Sequence, residues 1–146
     1  METQEIVQKA RTLIDETDSA FVMATVSPGG LPHVRWMGAT VFEEPFTLYL
    51  ETGIPSRKVE DIEGNPDVEL FFNRDDFSEQ LAVVGRASVE KNEDIKKAVY
   101  DVVNASDNYF DGPNDPRFGV IRVEAYELHY WKGAYQREPA IAKLED

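Results

Sequence analysis

The chain contains no cysteine. That removes a disulfide framework, a thiolate metal centre and a cysteine nucleophile, and it is compatible with a reducing cytoplasm, the expected location. Histidine is nearly as scarce. His33 and His129 are the only two, and neither stands among the three or four matched ligands that a metal site needs, so no metal is expected. Bases are few: 15 Lys and Arg face 28 Asp and Glu, for a formal net charge of −13. So acidic a surface repels a phosphate backbone and argues against nucleic acid as a partner. No apolar run approaches the roughly 20 residues of a membrane span. The opening METQEIVQKARTL is too polar and acidic for a signal peptide. G-x-G-x-x-G, the Walker A loop, H-E-x-x-H and G-x-S-x-G are all missing. Asn104-Ala105-Ser106 matches a glycosylation acceptor and, without an export signal, reads as a chance match.

What is present suits one packed domain spanning residues 1–146. Hydrophobic residues make up 42% of the chain, and a domain of this size buries about 70% of its unfolded surface, enough to need no covalent staples. Ile6, Val7, Ala10, Leu13 and Ile14 recur at helical spacing and predict an amphipathic helix over Thr3–Glu16. Ala20–Val26 reads as a buried strand. Ser27-Pro28-Gly29-Gly30 turns it into a second strand, Leu31–Phe42. Phe46–Thr52 is a third strand, Asp67–Asn73 a fourth, and Gln80–Glu90 a fifth, with Gly85 marking a bulge or a close backbone approach. Asn92 is an N-cap, followed by Glu93 and Asp94 in the first turn of a helix that runs to about Asn104. Asp107–Arg117 reads as a mobile acidic loop; a calcium loop is rejected there because Tyr109 and Phe118 stand where oxygen ligands are required. Phe118–Glu124 and Ala125–Trp131 are the last strands, and Lys132–Asp146 shows no period. Six to seven strands in hairpin order, without βαβ alternation, predict a mainly β (α+β) fold: an antiparallel barrel with helices outside.

Between the third and fourth strands lies Glu51–Asn65, ETGIPSRKVEDIEGN. Gly53 and Pro55 end the strand, and a short helix follows over Ser56–Glu63. Ser56, Arg57 and Lys58 then fall at its first turn, where unpaired backbone N–H groups and the positive end of the dipole favour an anion. The helix opens with a hydroxyl and two cations, and the cations oppose that dipole unless an anion such as a phosphate sits opposite. On these residues alone, a solvated Arg-Lys pair on a loop reads equally well.

Several segments then align with one family. Gly30-x-Pro32-His33-Val34-Arg35, Thr52 followed by Ser56-Arg57-Lys58, Asn65-Pro66-x-Val68, Gln80-Leu81-Ala82-Val83-Val84-Gly85 and Tyr130-Trp131-Lys132-Gly133 occur in the order of its motifs. The chain resembles the split-barrel flavoproteins of the pyridoxamine 5′-phosphate oxidase-like family, in particular its small general-stress-protein 26-type members. The resemblance implies a split β-barrel homodimer with FMN at the subunit interface. Arg35, Ser56, Arg57 and Lys58 would hold the 5′-phosphate, a dianion well matched by an arginine fork and a helix N-terminus. The main chain at Trp36 and Met37 and the side chain of Thr52 would lie along the flavin ring. Gln80 would bond its polar edge, and Trp131 would reach it from the partner subunit. Thr52 and Gln80 also read as plain strand-end residues, and Trp36 and Trp131 as packing aromatics.

The sequence also departs from the family pattern. Thr40 stands near the place of an oxidase lysine. Ala134-Tyr135-Gln136-Arg137-Glu138-Pro139 replaces the R-L-H-D-R segment that grips the substrate phosphate, and the family's N-terminal substrate-binding extension is not expected. The expected function is therefore an FMN-dependent oxidoreductase, with hydride passing from a nicotinamide to an unknown small-molecule acceptor, but not oxidation of pyridoxamine phosphate. No catalytic acid or base is named by the sequence. The deazaflavin F420 is the alternative cofactor. A flavin- or haem-binding stress module without turnover is the alternative to an enzyme.

Overall fold

The computed structural model describes residues 1–17, 20–103, 106–133 and 135–144; the candidate glycosylation asparagine, Asn104, lies outside them. Three helices, α1 (Thr3–Glu16), α2 (Arg57–Gly64) and α3 (Glu93–Val102), accompany eight strands: β1 (Phe21–Val26), β2 (Pro32–Met37), β3 (Thr40–Glu43), β4 (Thr47–Gly53), β5 (Asp67–Asn73), β6 (Glu79–Val89), β7 (Phe118–Lys132) and β8 (Ala140–Lys143). All pair antiparallel in one sheet of order β2-β1-β5-β6-β7-β4-β3, with β8 against β7.

The order itself forces closure. β2 and β3 lie at opposite edges of the sheet, yet only Gly38 and Ala39 separate them. Three Cα steps span at most about 11 Å, so the sheet must curl until its edges meet. The predicted strand Leu31–Phe42 is thus two strands: its first half pairs with β1, and its second crosses the seam to pair with β4.

Two further expectations are corrected. The two last strands are one 15-residue strand, β7. Its first half pairs with β4 and its second with β8 on the same side, while β6 runs along the other. The unpatterned tail contains β8, whose four residues, Ala140–Lys143, are too few to show a period. That makes eight strands rather than six or seven.

The bulge expected at Gly85 is present. The register shifts between Val84 and Gly85, and a Cβ on Gly85 would stand 2.6 Å from the Glu124 carbonyl oxygen. The core lies inside the curl, where Met23, Leu70, Leu81, Val83 and Leu128 are fully buried with Ile6, Ala10 and Leu13 of α1. A smaller cluster packs Val99, Tyr100 and Val103 on Tyr49, Phe118 and Val120.

Candidate functional site

α2 enters between β4 and β5, and its sequence fixes its start. Ser56 is the N-cap: its hydroxyl accepts from the Val59 N–H at 3.4 Å, satisfying one orphan donor. Ser56 therefore sits just before the first turn, with Arg57 and Lys58 inside it. Val59 and Ile62 anchor α2 in the core, which leaves Arg57 exposed and Lys58 half-buried. The Lys58 ammonium donates to the Thr52 hydroxyl at 3.0 Å, joining the helix to the end of β4.

Arg35 comes from β2 and faces α2 across β1. One of its terminal nitrogens donates to Thr25 Oγ1 at 2.8 Å and to the carbonyls of Met23 and His33, both at 3.3 Å. The Thr25 hydroxyl in turn donates to Asp61 Oδ2 at 2.7 Å. His33 Nδ1 lies 2.7 Å from that same oxygen, and Arg35 Nη2 is 3.8 Å away. Asp61 is 2% exposed. Burial pushes its carboxyl up, but the hydrogen bonds from Thr25 and His33 and the neighbouring positive charges outweigh this and hold it below the ordinary range. Burial and Arg35 both lower the Lys58 ammonium. Burial also lowers Arg35, against the pull of Asp61 and with a push from Arg57. Three cations thus stand close enough to act on one another, with one buried carboxylate beneath them. An anion above them would relieve that repulsion.

Asp61 and His33 were not expected as site residues. Asp61 lies three residues beyond Lys58, one helical turn on, at a position flanked by the core residues Val59 and Ile62. An acid on that face was the available signal.

A cavity of about 810 Å³ opens beside this cluster, lined in part by Trp36, Thr52, Ile54 and Lys58. That volume suits a cofactor-sized ligand. Trp36 is 72% exposed, whereas the Met37 side chain is buried in the core, so Met37 could offer a ligand only its main chain.

Gln80 and Trp131 are elsewhere. They face each other across β6 and β7, with the Trp131 ring against Phe71 and His129 at 6.4 and 6.3 Å. Asn73 pairs with Gln80 on the other side, and its side-chain oxygen is buried with no hydrogen-bond partner. Thr52 pairs with Gly119 at the start of β7, so Trp131 is twelve residues further along that strand, roughly 40 Å of strand path. Within one chain the expected residues therefore form two groups: Arg35, Trp36, Thr52, Ser56, Arg57 and Lys58 in one, Gln80 and Trp131 in the other.

A protein-family model described as pyridoxamine 5′-phosphate oxidase matches residues 6–132. The chain belongs to that family. Among its relatives, general stress protein 26 of Bacillus subtilis (strain 168) is 29% identical over 147 residues, covering 99% of this chain and 100% of that one. A pyridoxine/pyridoxamine 5′-phosphate oxidase of Rubrobacter xylanophilus is 30% identical over 128 residues, covering 87% of this chain but 48% of the oxidase. The crystal structure of general stress protein 26 from Bacillus anthracis str. Sterne superposes with a TM-score of 0.77 at 27% identity, covering 99% of this chain and 100% of that one. Like these pyridoxamine 5′-phosphate oxidase relatives, the chain is a split barrel. No helix among the described residues is long and apolar enough to cross a membrane.

Proposed function

We propose that the protein is an FMN-dependent oxidoreductase that works as a homodimer with one flavin at each interface site. The observation that carries this reading is the convergence of Arg35, Arg57 and Lys58 on the N-terminus of α2, beside a cofactor-sized cavity, in a chain with net charge −13. The fit to a phosphate dianion is chemical. The guanidinium of Arg35 is fixed by three acceptors on one nitrogen, which leaves its other N–H groups to face a ligand. Ser56 accepts from Val59 and keeps its hydroxyl proton for a ligand oxygen. Thr52, bonded to Lys58, holds that ammonium at the cavity wall. FMN held there would accept hydride from a reduced nicotinamide and pass it to an acceptor.

The second group of residues supports the homodimer reading. Trp36, Val22, Phe71, Ala82, His129 and Ile141 are successive partners across six strands, so they share one face of the sheet. Trp36 and Ile141 on this row, and Val34 two residues from Trp36, are 72%, 50% and 62% exposed. An apolar sheet face of this kind is suited to a second copy, and a second copy could bring Gln80 and Trp131 to the first copy's cavity. Both histidines are bonded to carboxylates, His33 to Asp61 and His129 to Glu127, and neither lines the cavity. That favours a flavin over a haem held by an axial imidazole.

The purified protein is expected to show a flavin spectrum or to quench added FMN fluorescence. A colourless protein that leaves FMN fluorescence unchanged would sink the proposal. Competition by F420 separates the two cofactors, and oxidation of NAD(P)H by the loaded protein separates enzyme from binding module.

A further inference from the structure

The cavity has two unlike walls. One is the end of β4 and the start of α2, where Lys58 is the lining cation. The other is built by the end of α3 and the segment 107–117, which contribute Val103, Tyr109, Phe110 and Arg117. Although this segment is rich in acids and turn residues, it is anchored. Tyr100 donates its hydroxyl to Asp107 and to the Phe110 carbonyl, and the Phe110 ring meets Phe118 edge-on at 5.2 Å.

The second wall is not an anion site. Its arginine, Arg117, already holds two carboxylates: Asp115 through bonds of 3.1 and 2.7 Å, and Asp111 at 3.5 Å. Glu51 lines the same cavity. A phosphate or carboxylate arriving here would meet a cation already paired with two carboxylates. Aromatic surface, by contrast, is present: Tyr109, 67% exposed, and Phe110 both stand on this wall.

Resting on the FMN reading of the first wall, we propose that the second wall receives the other reactant, a planar aromatic molecule bearing no negative charge. Ring faces stack on Tyr109 at little conformational cost, and the acidic surround of Arg117 turns away phosphorylated or carboxylated competitors.

The test compares 1,4-naphthoquinone with 1,4-naphthoquinone-2-sulfonate, each titrated into the FMN-loaded full chain by calorimetry. The absence of cysteine prevents thiol adducts from mimicking binding. The neutral quinone is expected to bind about tenfold more tightly than the sulfonate. Tyr109→Ala should weaken it about fivefold and leave FMN affinity unchanged. Asp111→Asn, which removes an exposed carboxylate from Arg117, should improve sulfonate binding alone. Equal or tighter binding of the sulfonate, indifference to Tyr109→Ala, or displacement of FMN by the quinone would each overturn the proposal. If FMN does not bind, the reading of the first wall fails. The same quinone comparison on the unloaded wild-type and Tyr109→Ala chains then still decides the second wall.

Discussion

At the scale of single residues, the site depends on one buried carboxylate. Asp61 accepts from Thr25 and His33 and stands beside Arg35, a counter-charge that does not fully neutralise the cations above it. Asp61→Asn is expected to destabilise the fold by about 2 kcal/mol at neutral pH, since it weakens hydrogen bonds to a charged acceptor. The pH dependence has a definite sign. A carboxyl held below its usual value contributes stability above the ordinary pKa of 3.8 and loses it as pH falls through the folded value. Melting temperatures of wild type and variant should therefore converge below about pH 4; a gap that persists in acid would contradict the role given to Asp61. Replacing Arg57 and Lys58 together by alanine should weaken FMN binding by several kcal/mol, at about 1.5–3 kcal/mol for each charge-assisted bond, as read by fluorescence titration. Unchanged affinity would remove the phosphate from this wall. Ser56, Arg57 and Lys58 were legible because a helix start is written locally. Asp61 was not, because its partners lie 36 and 28 positions away in sequence.

At the scale of elements, β7 is the part that local pattern misread. A strand of 15 residues looks like two strands when its neighbours change halfway. Its extra residue, Tyr126, lies opposite the step from Val84 to Gly85, where a side chain on Gly85 would press on the Glu124 carbonyl and Val123. Gly85→Ala should lower stability by about 1–3 kcal/mol, measured by denaturant titration, and a neutral result would mean the bulge has room. Turn-rich composition makes 107–117 read as mobile; in the structure Tyr100 of α3 bonds to Asp107 and to the Phe110 carbonyl within it. The hydrogen bond to Asp107, then burial, pushes the Tyr100 phenol up to about 12. A raised phenol contributes fully below the ordinary value of 10 and loses its contribution as pH rises towards 12. Proteolytic nicking of the segment should accordingly increase between pH 10 and 12 in wild type and be raised already at neutral pH in Tyr100→Phe.

At the scale of the whole molecule, Lys58 lines the cavity and Trp131 of the same chain does not, which makes the shared site testable. If the partner's Trp131 completes each site, Lys58→Ala and Trp131→Ala chains each bind FMN poorly alone. Mixed dimers of the two restore one intact site and leave the other doubly impaired. Refolding them together should recover FMN binding to at most half the sites, and no recovery would place Trp131 outside the cofactor site. The sequence by itself determined what is local: helix starts, turn positions, a bulge glycine, a basic cluster in an acidic chain, and motifs in a family's order. The tertiary structure alone decided what depends on closure. It split one predicted strand across the barrel seam, brought Arg35 over a carboxylate from another element, and parted Gln80 and Trp131 from the cations. Short-range propensity is encoded in neighbouring residues, whereas curl, register and charge pairing arise only when distant segments share a core.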